Sequence, residues 1–297
     1  MTTMILLIGE QPIPNLLPVL HEKPDDVLLV YTEKTQGQMN RLRSLLDGRY
    51  GCDELEVSPY NIVETKMKLG DKLTEKGWRG KQAVFNLTGG TKTMAFAAYE
   101  LAVRLGSDFL YFQTEGVQSL IYRYTTSGGD PMLLSGKPQP VGTLLTIDDY
   151  LRAYVGRYTV NGFSTGDGGK FEEAVHDAIK PLVDECVAGV RFSSTVEVDL
   201  VLRCGNQVGV VEVKLGKPNK DGIDQLTAAC GREYLGIYTK RFLISARSWE
   251  NLDELKDLAG ARGVDLIELP SYHQFGKISE SDVETLKQKV KKGLRCG

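Results

Sequence analysis

Two valine-rich segments joined by a tight turn constrain this chain more than anything else in it. Residues 195–202 and 207–214 each alternate as a strand, and each carries charge near its middle: Asp199 in the first, Glu212 and Lys214 in the second. Successive side chains of a strand point to opposite faces, so Glu212 and Lys214 share one face while Val211 and Val213 take the other. Cys204, Gly205 and Asn206 lie between the segments and make them neighbours in a hairpin. Ionised groups seldom sit among valines in mid-strand unless they pair with one another or bind something. The pattern predicts a polar cluster set into one face of a sheet.

The rest of the chain is long enough to house that sheet in a domain of its own. Its 297 residues, 41% hydrophobic and 25% charged, have the composition of two globular cores and not of a disordered chain. A net charge of -3 excludes binding of nucleic acid by bulk positive charge, so such a partner must be met by local groups. The five cysteines are scattered, without a Cys-x-x-Cys pair, which argues against a disulfide framework and a thiolate zinc site and fits a reducing cytoplasm. Nothing in the sequence brings His21, His176 and His273 together as a zinc site. The short apolar run at residues 4–8 reads as a strand, not as a signal peptide or membrane span.

Through the first half, apolar runs at 5–8, 27–31, 55–57, 83–87 and 108–112 alternate with helical stripes such as Met39, Leu42, Leu45 and Leu46. That alternation predicts a mostly parallel sheet with helices on both faces. Residues 119–126 read as one more strand, antiparallel to its neighbour. Glycine and proline gather at 127–142 and 161–169, with a linking helix between them. The expected organisation is a first domain at 1–140, a linker at 141–165 and a second domain at 166–297. The second opens with a helix bearing Phe171, Val175 and Ile179, and Ser281 with Glu284 has capping-box spacing for a last, lysine-rich helix.

Phosphodiester hydrolysis calls for a hard divalent ion held by carboxylate oxygens and for a positive group near the phosphate. Asp199 and Glu212 suit the first need and Lys214 the second. A lone Glu-x-Lys is a weak signal; a helix acid, a strand Asp, a hairpin, Glu-x-Lys and a helix Gln in that order form a stronger one. These residues resemble the PD-(D/E)xK nuclease superfamily. The resemblance implies a restriction-endonuclease-like α/β domain, with Glu172 or Glu173 as the helix acid, Glu172 preferred because it shares a stripe with Val175 and Ile179. It further implies metal held by Glu172, Asp199 and Glu212, Lys214 orienting the attacking water or stabilising charge on phosphorus, Gln225 as the helix polar residue and Glu197 as an auxiliary acid.

In the first half, Leu87-Thr88-Gly89-Gly90-Thr91-Lys92-Thr93-Met94 joins a buried strand to a helix, where backbone N–H groups can receive a phosphate. The spacing is neither a Walker loop nor a dinucleotide fingerprint. The segments after the first two strands, carrying Gln11 and Thr35, emerge at the same carboxyl edge. Together these loops are similar to those of the CARF domain, a Rossmann-like sensor, and with a PD-(D/E)xK domain behind it the chain resembles the CARF nucleases of type III CRISPR defence. That resemblance implies a cytoplasmic homodimer binding cyclic tetra-adenylate through Gln11, Thr35, Thr88, Gly89, Gly90, Thr91, Lys92 and Thr93. It also implies that the activated dimer cuts RNA or DNA with Mn²⁺ or Mg²⁺. Two rivals stand beside it: a nucleotide-sensing regulator that binds without cutting, and a constitutive restriction or repair nuclease.

Overall fold

In the computed structural model, which describes all residues except 117, 127–130, 135, 218 and 297, the chain divides into two compact units. Unit 1 is Met1–Leu144 with Arg152–Tyr154, and unit 2 is Leu145–Leu151 with Val155–Gly297. Residues 127–130 and 135 of the glycine- and proline-rich stretch expected at 127–142 lie outside the described residues. No helix among the described residues is long and apolar enough to cross a membrane.

Unit 1 runs β1 (Thr3–Leu7), α1 (Ile13–Glu22), β2 (Asp26–Tyr31), α2 (Gln36–Leu46), β3 (Gly51–Glu56) and α3 (Ile62–Lys76). It continues with β4 (Ala83–Asn86), α4 (Lys92–Leu105), β5 (Asp108–Glu115), β6 (Gln118–Thr125), β7 (Met132–Leu133) and β8 (Gln139–Val141). The strands lie in the order β3-β2-β1-β4-β5-β6-β7, parallel from β3 to β5, with β6 antiparallel to β5 and β8 paired to β6. Strand order reverses between β1 and β4, and in sheets of this type ligands bind beyond the carboxyl ends of the strands at that point. Both neighbours of the crevice are buried apolar strands: Ile5, Leu7, Leu28, Val30 and Phe85 pack with Met94, Ala98 and Leu101 of α4. Each of these side chains larger than alanine contributes about 1.5–3 kcal/mol by leaving water. The Asn61 side chain accepts the Glu64 N–H to start α3, Thr91 accepts that of Met94 to start α4, and left-handed Gly77 and Gly106 end the two helices.

α5 (Ile147–Val155) has residues in both units. Unit 2 then runs β9 (Thr159–Val160), α6 (Gly166–Ile179), β10 (Glu185–Arg191), β11 (Glu197–Cys204), β12 (Gln207–Lys214) and α7 (Lys220–Ala229). β13 (Lys240–Ser245), α8 (Asp253–Ala261), β14 (Val264–Glu268), α9 (Pro270–Phe275) and α10 (Glu280–Leu294) complete it. The sheet order is β14-β13-β12-β11-β10-β9, and β12 is the strand at which it changes character: antiparallel to β11, parallel to β13. Val211 and Val213 point into a core with Phe171, Val175 and Ile179 of α6 and Leu286, Val290 and Leu294 of α10. The charged alternates of β12 are thereby turned to the other face.

Two elements go beyond the sequence reading and two local expectations need correction. Residues 13–22 form α1, and Pro14 falls in its first turn, where its missing N–H costs nothing. Residues 185–191 form β10, which makes a hairpin with β11 and pairs at one end with β9. The cap of α10 is Ser279, whose side chain accepts the Asp282 N–H, and not Ser281. Cys204 and Cys296 are disulfide-bonded, with Cα atoms 5.6 Å apart, while Cys52, Cys186 and Cys230 are free thiols.

Candidate functional site

The cluster in unit 2 is built by two adjacent strands. The β11–β12 ladder pairs Leu200 with Val211, and beyond that pair the Asp199 carboxylate accepts the Val213 N–H at 2.6 Å. On β12 the Lys214 ammonium donates to Glu212 Oε1, also at 2.6 Å. Glu212 is only 3% exposed, and no apolar side chain in that position would need such a partner. Burial first, and then the neighbouring Glu212, push the Asp199 carboxyl up to about 8. Burial also raises Glu212, against the pull of Lys214. Two carboxyls crowded in this way resist ionising together, and either a retained proton or a bound cation relieves them.

The two candidate helix acids differ in burial. Glu172 on α6 is buried, whereas Glu173 is exposed. Glu172 lies close enough to raise both Asp199 and Glu212 electrostatically. Its two oxygens are already engaged: Ser164 donates its N–H to one at 2.9 Å and its hydroxyl to the other at 2.6 Å. The same loop crowds Gly169, where a Cβ would stand 1.7 Å from the Ser164 carbonyl oxygen. Glu172 thus clamps the chain entering α6. Glu197 is drawn into a surface pair with Arg191, whose Nε donates to it at 2.8 Å, and accepts from Asn161 as well. Gln225 is exposed on α7.

Among the described residues no group of three or more His, Cys, Asp and Glu side chains is gathered so as to hold a metal. Asp199 and Glu212 nevertheless fit Mg²⁺ or Mn²⁺, which are held by one or two carboxylates and keep water or phosphate oxygens for the rest of their shell. The crowding of two buried carboxyls is the observation that favours the fit.

In unit 1 the loops after β1 and β4 meet at the point where strand order reverses: a Cβ on Gly9 would stand 3.1 Å from the Gly90 nitrogen. Gly89 lies so close to β1 that a Cβ there would be 2.0 Å from the Leu7 carbonyl oxygen, and Gly90 has φ +70°. Buried Asn15 and Asn86 brace the loop. Asn15 Nδ2 donates to the Leu7 carbonyl, Asn86 Nδ2 to the Pro14 carbonyl, and Thr88 donates its hydroxyl to Asn86 Oδ1 at 2.6 Å.

The threonines expected to grip a ligand are used internally. Thr88 Oγ1 also accepts the Phe112 N–H, Thr91 and Thr93 donate to the Pro59 carbonyl, and Thr35 exchanges hydrogen bonds with Thr32. Gln11 Oε1 accepts from the Tyr154 hydroxyl. Among the described residues no acceptor takes the N–H groups of Gly89 and Gly90, and Lys92 is exposed at the start of α4. Those N–H groups and that ammonium are what the loop offers an anion.

Residues 3–150 match the family model for the Card1 CARF domain. The chain belongs to the CRISPR-associated CARF-domain family. Over its whole length it has the fold of Can2 from Sulfobacillus thermosulfidooxidans, solved in complex with cyclic tetra-adenylate, at 17% identity, TM-score 0.75 and 99% coverage of each chain. Protein VC1899 from Vibrio cholerae is similar at 15% identity, TM-score 0.75 and 98% coverage of each chain. A type III CRISPR defence DNA nuclease activated by cyclic oligoadenylate is similar at 18% identity and TM-score 0.61, over 82% of this chain and 45% of that one. No curated protein matches the sequence.

Proposed function

We propose that the protein is a cyclic-oligoadenylate-activated, metal-dependent endonuclease of type III CRISPR defence. The observation that carries the reading is the convergence of Asp199, Glu212 and Lys214 on one face of β11 and β12. Asp199 and Glu212 would hold Mn²⁺ or Mg²⁺, which supplies charge neutralisation at the phosphate and a more acidic water. Lys214 stabilises negative charge as it builds on the scissile phosphate. Glu172 is a positioning residue: it fixes the start of α6 through Ser164 and adds to the negative potential that favours a cation. Backbone cutting without sequence preference follows from the lack of a base-reading motif in the sequence.

The sensor reading places cyclic tetra-adenylate on the Gly89–Gly90 turn and Lys92 of unit 1. A homodimer is supported by an exposed apolar face on two adjacent helices: Val63 and Met67 of α3, with Tyr60 just before it, and Phe96 and Tyr99 of α4. Faces of this kind mark association surfaces. A twofold ligand suits such an isologous pair.

The test incubates labelled single-stranded RNA, single-stranded DNA and supercoiled plasmid with protein and Mn²⁺, with and without cyclic tetra-adenylate, beside Glu212→Ala. Cutting that needs activator and disappears in the variant is the expected result; cutting unaffected by the substitution overturns the active-site assignment. One observation favours the rival reading of a regulator that binds without cutting. The third acid, Glu172, has both oxygens committed to Ser164. Specific binding with no cleavage under any activator would establish that rival.

A further inference from the structure

Beyond the carboxyl ends of β12, β13 and β14 lies a cavity of about 640 Å³, within the usual range for ligand sites of about 300–1,000 Å³. Its lining includes Lys217, Arg247, Ser248, Asn251, His273 and Gln274. Among the described residues neither Lys217 nor Arg247 forms an ion pair, although both are exposed cations at one cavity. Glu250 is the acidic group on the lining. The remaining polar groups are the Ser248 hydroxyl, the amides of Asn251 and Gln274 and the His273 imidazole, all able to hydrogen-bond phosphate and sugar oxygens.

The walls are fixed, not loose. Buried Ser245 accepts the Arg247 N–H at 3.1 Å and donates its hydroxyl to the Arg247 carbonyl at 2.9 Å, closing a tight turn. The Ala246 N–H donates to the Lys214 carbonyl, and the Leu269 N–H to that of Ser245, so three strand ends are tied together. Trp249 donates its N–H to Glu268 and anchors the next residues.

The cavity adjoins the catalytic strand. Lys214 is in register with Ser245, and Arg247 is two residues beyond Ser245. Lys217 is three residues beyond Lys214, a chain reach of at most about 11 Å. We infer that this cavity is the seat of the substrate strand flanking the scissile phosphate, with Lys217 and Arg247 each neutralising one backbone phosphate. The inference rests on the nuclease reading for its substrate class and extends it to a binding path. Because the contacts are to backbone charge, the seat is indifferent to base sequence.

The test measures binding of labelled single-stranded DNA and RNA oligonucleotides to the full chain in a Glu212→Gln background with cyclic tetra-adenylate present, across a salt series. Lys217→Ala/Arg247→Ala is expected to bind on the order of tenfold more weakly at low salt. Its log Kd against log salt slope should be shallower by about 1.4, since each single-strand phosphate contact contributes about 0.7. The same charge removed from α10 by Lys291→Ala/Lys292→Ala should change neither quantity. Unchanged affinity and slope in the first variant, or an equal loss in the second, overturns the seat. In the cutting-competent chain the first variant should raise KM and retain kcat, whereas Glu212→Ala loses kcat. Pocket-dependent binding by a wild-type chain that never cuts would sink the nuclease reading and leave the seat standing.

Discussion

Lys214 and Glu212, two residues apart on β12, share one hydrogen bond of 2.6 Å on the face of the sheet turned away from the valine core. The strand period enforces their proximity, and burial of Glu212 makes it consequential. Replacing Lys214 by Met keeps the aliphatic stem and removes the charge. Cleavage should fall about 10²–10³-fold, the loss typical of one transition-state stabilising group, with little change in substrate affinity. Single-turnover rates with Mn²⁺ give the measurement; an undiminished rate removes Lys214 from the mechanism.

Asp199 gives the metal-free protein a pH signature. Its carboxyl stands at about 8 in the folded chain, against about 3.9 unfolded. The folded state therefore holds this proton more tightly, and the associated stability, complete below about pH 4, is lost as pH rises towards 8. Asp199→Asn cannot ionise, so its advantage in unfolding temperature over the wild type should grow across that window. Metal must displace the proton, so Mn²⁺ affinity of the wild type should increase with pH and calorimetry should register proton release. A wild-type to variant difference that is flat with pH would contradict the assignment.

Gly89 permits no side chain where it passes β1. Gly89→Ala should cost about 1–3 kcal/mol through overpacking and displace the loop, lowering affinity for cyclic tetra-adenylate. Lys92→Ala touches only an exposed ammonium. It should weaken that affinity about tenfold at unchanged thermal stability, as read by calorimetry and melting on the same samples.

The apolar face of α3 and α4 predicts a dimer that charge can break. Met67→Glu/Phe96→Glu should sediment as a monomer where the wild type sediments as a dimer, because both side chains are more than half exposed in one chain. Retention of the dimer would move the interface elsewhere.

The sequence made the centre of each sheet readable because those strands advertise burial on their own. Val211 and Val213 against Glu212 and Lys214 is a pattern that needs no partner to interpret, and the alternation of strand and helix in the first half is equally local. β10 was obscured locally, by Gly189 at φ +62°, although its hairpin partner β11 follows it directly. The rest of what escaped was decided at a distance. Cys204 and Cys296 are 92 residues apart. The threonines near the sensor loop have the right residue type for a ligand, yet their hydroxyls are taken by Asn86, Phe112, Pro59 and Thr32, partners that only folding brings within reach. Glu172 shows the same limit: its position on the buried stripe was evident, its commitment to Ser164 was not.

With its threonines used internally, the Gly89–Gly90 turn is braced from within. Its shape is set by Leu7, Asn15 and Asn86 before any anion arrives, so little conformational entropy remains to be surrendered on capture. In the proposed sensor role, a mould set in advance in this way would discriminate among anions by fit.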